Sequence, residues 1–205
     1  SRASSGLKPG NEAIALGAIV AGCRVCAAYP ITPASEILEL MAQYLPKFGG
    51  VAVQAEDEIA AVMTAIGAGF AGARAMTSTS GPGISLKQEA LGLAHMAEIP
   101  LVVVDCQRGG PSTGMPTKHE QSDVMALTYG THGDSPRVIL SPRSPEDAFY
   151  DTILAFNLAD KLQMPVFIAA DLSLALNKQT VENLRVPADA IQRGELVSDE
   201  ELARL

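Results

Sequence analysis

Pro100-Leu101-Val102-Val103-Val104-Asp105 decides the fold. Four consecutive apolar residues, three of them β-branched, make a strand with no polar face. A strand of that kind is buried on both sides, as in a parallel sheet covered by helices. Working outward, helical and extended segments alternate. The spacing predicts helices over 11–22, 33–48, 57–72, 84–97, 123–130 and 144–162. It predicts strands over 24–29, 51–54, 75–79, 100–105, 137–140 and 165–170. In 33–48 the residues Ile37, Met41, Tyr44, Leu45 and Phe48 repeat at helical spacing, and Gly49-Gly50 ends the run. In 57–72 the residues Ile59, Val62, Met63, Ile66 and Phe70 form the apolar face of a helix that is otherwise rich in Ala and Gly. Glycine weakens a helix, so close packing is its expected return. The pattern is that of an α/β fold: a doubly wound, mainly parallel sheet with helices on both faces. Such sheets bind ligands at the carboxyl ends of their strands.

The chain has 205 residues, enough for one sizeable α/β domain. A net charge of −8 and an aromatic content of 4% argue against a basic nucleic-acid face and against base-stacking platforms. No run of about 18 apolar residues suggests a membrane span, and the first residues carry no apolar signal-peptide core. Cys23, Cys26 and Cys106 fit a reducing cytoplasm. Cys23 and Cys26 form a CxxC pair without a second pair or a nearby histidine, and are read as structural thiols. No metal ligands are assigned. Residues 1–9 read as a linker or a domain edge. Residues 177–205 are polar, with a helix expected only at 198–205.

Four polar segments fall at strand ends. Tyr29-Pro30-Ile31-Thr32-Pro33 opens a helix, with Pro33 expected at its first position and Thr32 as its N-cap. An ordinary capped helix explains these residues; so does an anion site for a substrate carboxylate. Glu56-Asp57-Glu58 begins the next helix. Its carboxylates either complement the helix dipole or, desolvated against the packed helix, share a proton with a ligand nitrogen. Ser78-Thr79-Ser80-Gly81-Pro82-Gly83 reads as a turn. It lacks the glycine spacing and Lys-Ser/Thr ending of a phosphate loop. Arg108 follows the central strand and leads a long polar loop over 107–122. Its guanidinium would hold a carboxylate bidentately, or pair with Glu120 or Asp123. His119 reads as a hydrogen-bonding loop residue. No GxSxG elbow and no GxGxxG turn is present.

Together, YPITP (29–33), QAEDEIAA (54–61), TSTSGPGISLKQEALGLAHMAEIPLVVVD (77–105) and QRGGPSTGMPTKHEQSDVM (107–125) resemble the α subunit of the 2-oxoacid:ferredoxin oxidoreductases. The resemblance covers about residues 8–185, and RGGPSTG with KHEQSD looks most like the 2-oxoglutarate-type branch. It implies a pyrimidine-binding domain of the thiamine-diphosphate fold over 10–185, followed over 186–205 by a linker toward a further domain. It also implies the chemistry. Thiamine diphosphate attacks the 2-oxo carbon, CO2 leaves, and electrons pass singly through Fe–S clusters to ferredoxin. The acyl group ends on coenzyme A. A glutamate of this domain protonates the aminopyrimidine ring. Glu58, nine residues before Gly67, has the spacing of that glutamate, with Ala61 and Ala65 at the small positions, and is preferred to Glu56. Thr32 would contact the substrate carboxylate and Arg108 would bind substrate or stabilise its developing charge. Tyr29, Pro30, Ile31, Ser80, Gly81 and Pro82 would line the cofactor.

The diphosphate, its Mg²⁺ and the Fe–S clusters would be held by partner subunits. The chain carries no GDG…N motif and no Fe–S cysteine set, and the resemblance assigns both to the β subunit or a ferredoxin-like subunit. The chain would then be half of a cytoplasmic active site, an excised domain that does not turn over alone. Three alternatives stand beside this reading: another thiamine-diphosphate enzyme, a pyruvate-type oxidoreductase, and a non-catalytic α/β binding module in which Glu58 is only a helix cap.

Overall fold

In the computed structural model, which describes residues 6–182 and 184–204, six parallel strands form the central sheet. In chain order the elements begin with β1 (Gly6–Pro9), α1 (Gly10–Val20), β2 (Val25–Ala28) and α2 (Ser35–Tyr44). They continue with β3 (Val51–Gln54), α3 (Glu58–Phe70), β4 (Ala75–Thr79) and α4 (Gly81–Met96). Next come β5 (Leu101–Gln107), α5 (Val124–Tyr129), β6 (Val138–Leu140) and α6 (Pro145–Leu162). The last are β7 (Pro165–Asp171), α7 (Leu172–Leu176), β8 (Lys178–Val181) and α8 (Asp199–Leu202). The sheet order is β3-β2-β4-β5-β7-β6. Its order reverses between β2 and β4, and a crevice outside the strand ends at such a switch point is the usual ligand site of an open α/β sheet.

The apolar run of β5 alternates as a doubly covered strand must. Val102 and Val104 join one core with α1, α2 and α6, while Leu101 and Val103 join a second core with α3, α4 and Leu127 of α5. Each buried aliphatic side chain of this kind contributes about 1.5–3 kcal/mol. Helix α1 packs directly on α6: a Cβ on Gly17 would stand 2.6 Å from the Phe149 carbonyl oxygen. The three cysteines are buried in the first core. Burial pushes the Cys26 thiol up to about 12 and raises Cys23 and Cys106 as well.

Several sequence readings need correction. Residues 6–9, read as part of a linker, form β1 and pair antiparallel with β8; residues 1–5 lie outside the described residues. The β8 segment and α7 were invisible because four or five residues carry too little period. Asp171 starts α7 by accepting a hydrogen bond from Leu174 N at 2.8 Å. The helix expected through 48 stops at Tyr44 and tightens to a 3-10 turn over Leu45–Phe48, where Pro46 has no N–H to give. Part of the segment read as a linker over 186–205 is docked. Val186 and Ile191 pack on the first core, and Arg193 Nε reaches Asp160 at 2.8 Å. The same carboxylate takes Arg74 Nε at 2.9 Å, a buried pair that ties β4 to α6.

The largest correction concerns α3. Its buried face is Glu58, Ala61, Val62, Ala65 and Ile66. Ile59, Met63 and Phe70, placed on the core face by their spacing, are exposed, Phe70 by 80%. The small residues face inward because the helix lies close to its neighbours: a Cβ on Gly69 would meet the Pro100 carbonyl oxygen at 2.8 Å.

Candidate functional site

The carboxyl ends of β2, β3, β4 and β5 bring four sequence segments together. Beyond β2 lies Tyr29–Pro33; beyond β3, Ala55–Glu58; beyond β4, Ser80–Gly83; beyond β5, Arg108 and its loop.

At the second segment, the two carboxylates that could cap α3 divide the work. Asp57 is the N-cap, its Oδ1 accepting from Ala60 N at 2.8 Å. Glu58 is therefore not needed as a cap, and it turns inward, 8% exposed, while Glu56 stays exposed. Glu58 lies against the first turn of α4. A Cβ on Gly83 would stand 2.9 Å from Glu58 Cγ and 1.9 Å from Thr79 Oγ1. The absence of a side chain at 83 is what lets Glu58 lie there.

The Ser78–Gly83 segment is not a turn. Thr79 ends β4, Ser80 is the N-cap, and Gly81-Pro82-Gly83 is already helix. Proline fits because the first helical N–H groups have no intrahelical acceptor. Ser80 Oγ makes no capping bond and has no partner among the described residues.

Thr32 and Pro33 also shift. Ala34, not Thr32, is the N-cap of α2, and the helix starts at Ser35. Ala34 N donates to Ile31 O at 2.8 Å, closing a turn before the helix begins. Pro33 disfavours a helical conformation at Thr32, which moves the helix start beyond it. Thr32 is exposed, with Tyr29 and Pro30, while Ile31 packs on the core. The turn is held by its carbonyls from two sides. Arg108 Nη1 donates to Thr32 O at 2.7 Å, and Asn11 Nδ2 donates to Pro33 O at 2.7 Å. Asn11 also reaches Glu36 Oε2 at 2.9 Å and accepts from Cys106 Sγ at 3.5 Å.

Arg108 is 7% exposed. Its second terminal nitrogen donates to Thr113 O at 2.6 Å, so the guanidinium spans two backbone carbonyls rather than pairing with Glu120 or Asp123. Its Nε is buried without a partner among the described residues. The loop behind it is ordered by its own backbone. Gly109 N donates to Lys118 O at 3.0 Å and Met115 N to Gly109 O at 2.7 Å. Gly114 must be glycine, since its φ is +59 and a Cβ would fall 1.8 Å from Gly109 O. His119 hydrogen-bonds Asp171 at 3.0 Å, in keeping with a loop residue. Arg108→Lys keeps the charge but cannot hold both carbonyls. We expect the amides of 109–115 to exchange about tenfold faster or more, the loss of one charged hydrogen bond at about 1.5–3 kcal/mol; unchanged exchange would show that the clamp is not what orders the loop.

Between this loop and the first turn of α4 opens a cleft of about 660 Å³, lined by Gly81, Pro82, Leu86, Arg108, Ser112 and Asp123 among others. That size suits a small molecule. Buried side-chain atoms without a partner among the described residues include Thr77 Oγ1, Ser80 Oγ, Lys87 Nζ, Arg108 Nε and, until a proton bridges the facing pair, both oxygens of Asp105 and Asp123 Oδ2; of these residues Arg108 and Asp123 line the cleft. Of the unsatisfied buried side-chain atoms among the described residues, only His95 Nδ1 lies outside this set. Buried polar groups are nearly always paired, so Arg108 Nε, on a residue that lines the cleft, lacks a partner that a ligand could supply. Asp105 stands beside Thr79 in the β4–β5 ladder and faces Asp123. Burial pushes Asp105 well up and the Asp123 charge pushes it further; burial also raises Asp123. Both carboxyls are thereby pushed toward the protonated form.

The reading of the sequence missed Asn11, Lys87 and Asp105, and named Asp123 only as a possible partner of Arg108. Lys87 carried a signal: it falls on the apolar face Gly83, Ile84, Ala90, Leu91, Ala94 of α4, where a charge is out of place.

Among the described residues no helix is long and apolar enough to cross a membrane, and no group of His, Cys, Asp or Glu is arranged to hold a metal ion.

Residues 16–204 match the family described as pyruvate flavodoxin/ferredoxin oxidoreductase, thiamine-diphosphate-binding. Over 162 residues the chain is 55% identical to the 2-oxoglutarate synthase subunit KorA of Methanocaldococcus jannaschii, covering 79% of this chain and 44% of that protein. It is 50% identical over 171 residues to the 2-oxoglutarate oxidoreductase subunit KorA of Mycobacterium tuberculosis, covering 81% of this chain and 26% of that one. Among solved structures, the 2-oxoglutarate:ferredoxin oxidoreductase of Magnetococcus marinus, with 2-oxoglutarate, coenzyme A and succinyl-CoA bound, superposes with a TM-score of 0.91 at 49% identity. That match covers 95% of this chain and 34% of that one. The chain thus spans less than half the length of each of these relatives.

Proposed function

Because the chain belongs to the thiamine-diphosphate-binding family of the pyruvate flavodoxin/ferredoxin oxidoreductases, we propose that it is the pyrimidine-binding part of an α subunit that oxidatively decarboxylates a 2-oxoacid to acyl-CoA and CO2, with electrons to ferredoxin. The preferred substrate is 2-oxoglutarate, supported by the names of its relatives. The observation that carries the reading is Glu58: a buried carboxylate at a helix start, freed from capping by Asp57 and lying against the side-chain-free Gly83 at the switch-point crevice.

The residues fit the cofactor. Arg108 Nε has no partner among the described residues, on a residue lining the cleft, which suits a polar ligand, and Gly83 lets Glu58 lie against the first turn of α4. When bound, thiamine diphosphate would supply the nucleophilic carbon of the reaction. Glu58 would share a proton with the ligand's pyrimidine ring nitrogen. Ser80, Gly81 and Pro82, together with Tyr29, Pro30 and Ile31, would line the cofactor. Thr32 offers its hydroxyl to the substrate carboxylate. Arg108, which lines the cleft, fixes the Thr32 turn and the 108–113 loop, and its guanidinium charge would stabilise charge developing on the substrate.

The diphosphate, Mg²⁺ and Fe–S clusters belong to a β subunit or further subunits, and ferredoxin and coenzyme A meet the assembled complex in the cytoplasm. The exposed apolar side chains Ile59, Met63 and Phe70 of α3 and Leu86, Leu93 and Met96 of α4 support a partner chain on that side.

The test is to co-express the full-length subunit with its β partner and assay 2-oxoglutarate- and CoA-dependent reduction of ferredoxin or a viologen dye. The expected result is activity that needs both chains and thiamine diphosphate. Activity with pyruvate alone would change the substrate. No activity with any 2-oxoacid, from a folded complex carrying its clusters, would overturn the enzyme reading.

A further inference from the structure

Lys87 is fully buried, and its Nζ has no hydrogen-bond partner among the described residues. A lysine in such a place needs an explanation, since burying an ammonium is costly and replacing it with an apolar residue is easy. Its position supplies one. Helical spacing puts Lys87 one turn beyond Gly83, on the same face of α4. Gly83 is the residue against which Glu58 lies. The charged groups around Lys87 are Glu58 and Asp57 from α3 and Asp105 from β5, with Asp123 reached through Asp105. Among them Glu58 does most to hold the lysine's charge, ahead of Asp57 and Asp105.

We propose that Lys87 is the positioning residue of Glu58: its buried ammonium, which makes no direct hydrogen bond to Glu58, acts through space from one turn beyond Gly83 to keep the Glu58 carboxylate charged, so that the shared proton rests on the ligand's ring nitrogen. This rests on Glu58 being the residue that meets the pyrimidine. Asp105 also favours the lysine's charge, but less than Glu58 and Asp57 do.

The arrangement has a pH signature. Burial lowers Lys87 to about 8, against the pull of the neighbouring carboxylates. The lysine is therefore charged at neutral pH and loses its charge as pH rises through about 8. The experiment uses the full-length chain assembled with its partner subunit. Two quantities are followed from neutral to alkaline pH: the dissociation constant of thiamine diphosphate by calorimetry, and the exchange rate of its C2 hydrogen by NMR after acid quench. In the wild type both affinity and exchange fall as the pH passes about 8. Lys87→Met lowers exchange about tenfold at neutral pH, the equivalent of one pKa unit of lost interaction, and abolishes the pH-dependent fall. Lys87→Arg, which stays charged, keeps both values high past the wild-type limb.

A Lys87→Met complex matching the wild type in both quantities at every pH would overturn the proposal. If Lys87→Met does not assemble, Lys87→Arg decides, and retention of the wild-type fall would overturn it equally. Glu58→Gln separates the two levels of the argument. Normal C2 exchange in Glu58→Gln would overturn the Glu58 assignment and this inference with it. Slow exchange in Glu58→Gln beside wild-type behaviour in Lys87→Met would overturn the lysine's role alone.

Discussion

Glu58→Gln in the assembled enzyme is expected to lower 2-oxoacid turnover by about 10²–10⁴-fold, the usual contribution of a positioned proton-transfer group, while leaving the complex folded. In barrier terms this is about 3–5 kcal/mol. Glutamine keeps the size of the side chain and its fit against Gly83, so the change removes only the ability to hold a proton and a charge. Two neighbours make the comparison specific. Asp57 is the cap, bonded to Ala60 N, so Asp57→Ala is expected to cost about 1 kcal/mol of stability with the chemistry retained. Glu56 is exposed, and Glu56→Gln is expected to change neither. The measurements are turnover with a viologen acceptor and the thermal midpoint of each complex. If Glu56→Gln proves the inactive variant, the assignment of the two glutamates is reversed. If none of the three loses activity, Glu58 is a buried structural acid and the binding-module reading returns.

How much of this was legible in the sequence differs from element to element. The strands of the sheet were, because β5 is an unbroken apolar run and β3 and β4 are bounded by glycines and polar turns; both lie over 51–54 and 75–79 as the spacing predicts. The candidate glutamate was legible through its distance from Gly67 and the alanines between. Its companions were not. Asp105 follows the apolar run of β5 and Lys87 sits mid-helix, far apart in sequence; only the parallel ladder that sets Thr79 beside Asp105 brings β5 to the strand from which α4 starts. The exact start of α2 was misread because proline signals a helix start but does not say which of two adjacent residues caps it. Here the turn closed by Ala34 N on Ile31 O moves the start two residues on, and Arg108 and Asn11, distant in sequence, hold it. The face of α3 was misread for a different reason. Spacing shows that Ile59, Met63 and Phe70 share a side with other apolar residues, but not whether that side meets this chain's core or another chain.

Gly83→Ala is the second variant with a large expected effect, and it tests whether packing, rather than the carboxylate alone, makes the site. Two contacts would be violated at once: 1.9 Å to Thr79 Oγ1 and 2.9 Å to Glu58 Cγ. Neither relaxes easily. Thr79 is β-branched and fully buried in β4, and Glu58 Cγ is the middle of a side chain, not its free end. Overpacking of this kind costs about 1–3 kcal/mol, partly offset by the gain of up to about 1 kcal/mol that alanine brings to a helix. The stability loss is therefore modest, and the displacement of Glu58 is the larger consequence. Thiamine diphosphate affinity and turnover are each expected to fall about tenfold or more, the result of a misplaced reacting group. The double variant Gly83→Ala with Thr79→Ala separates the two contacts. Removing Oγ1 relieves the closer one and leaves the Thr79 Cβ position at 3.2 Å, so stability is expected to recover. The clash with Glu58 remains, so cofactor affinity is not. Recovery of both together would place the damage at Thr79 and leave Glu58 undisturbed by the added methyl; native affinity in Gly83→Ala itself would mean that the first turn of α4 does not hold the glutamate in place.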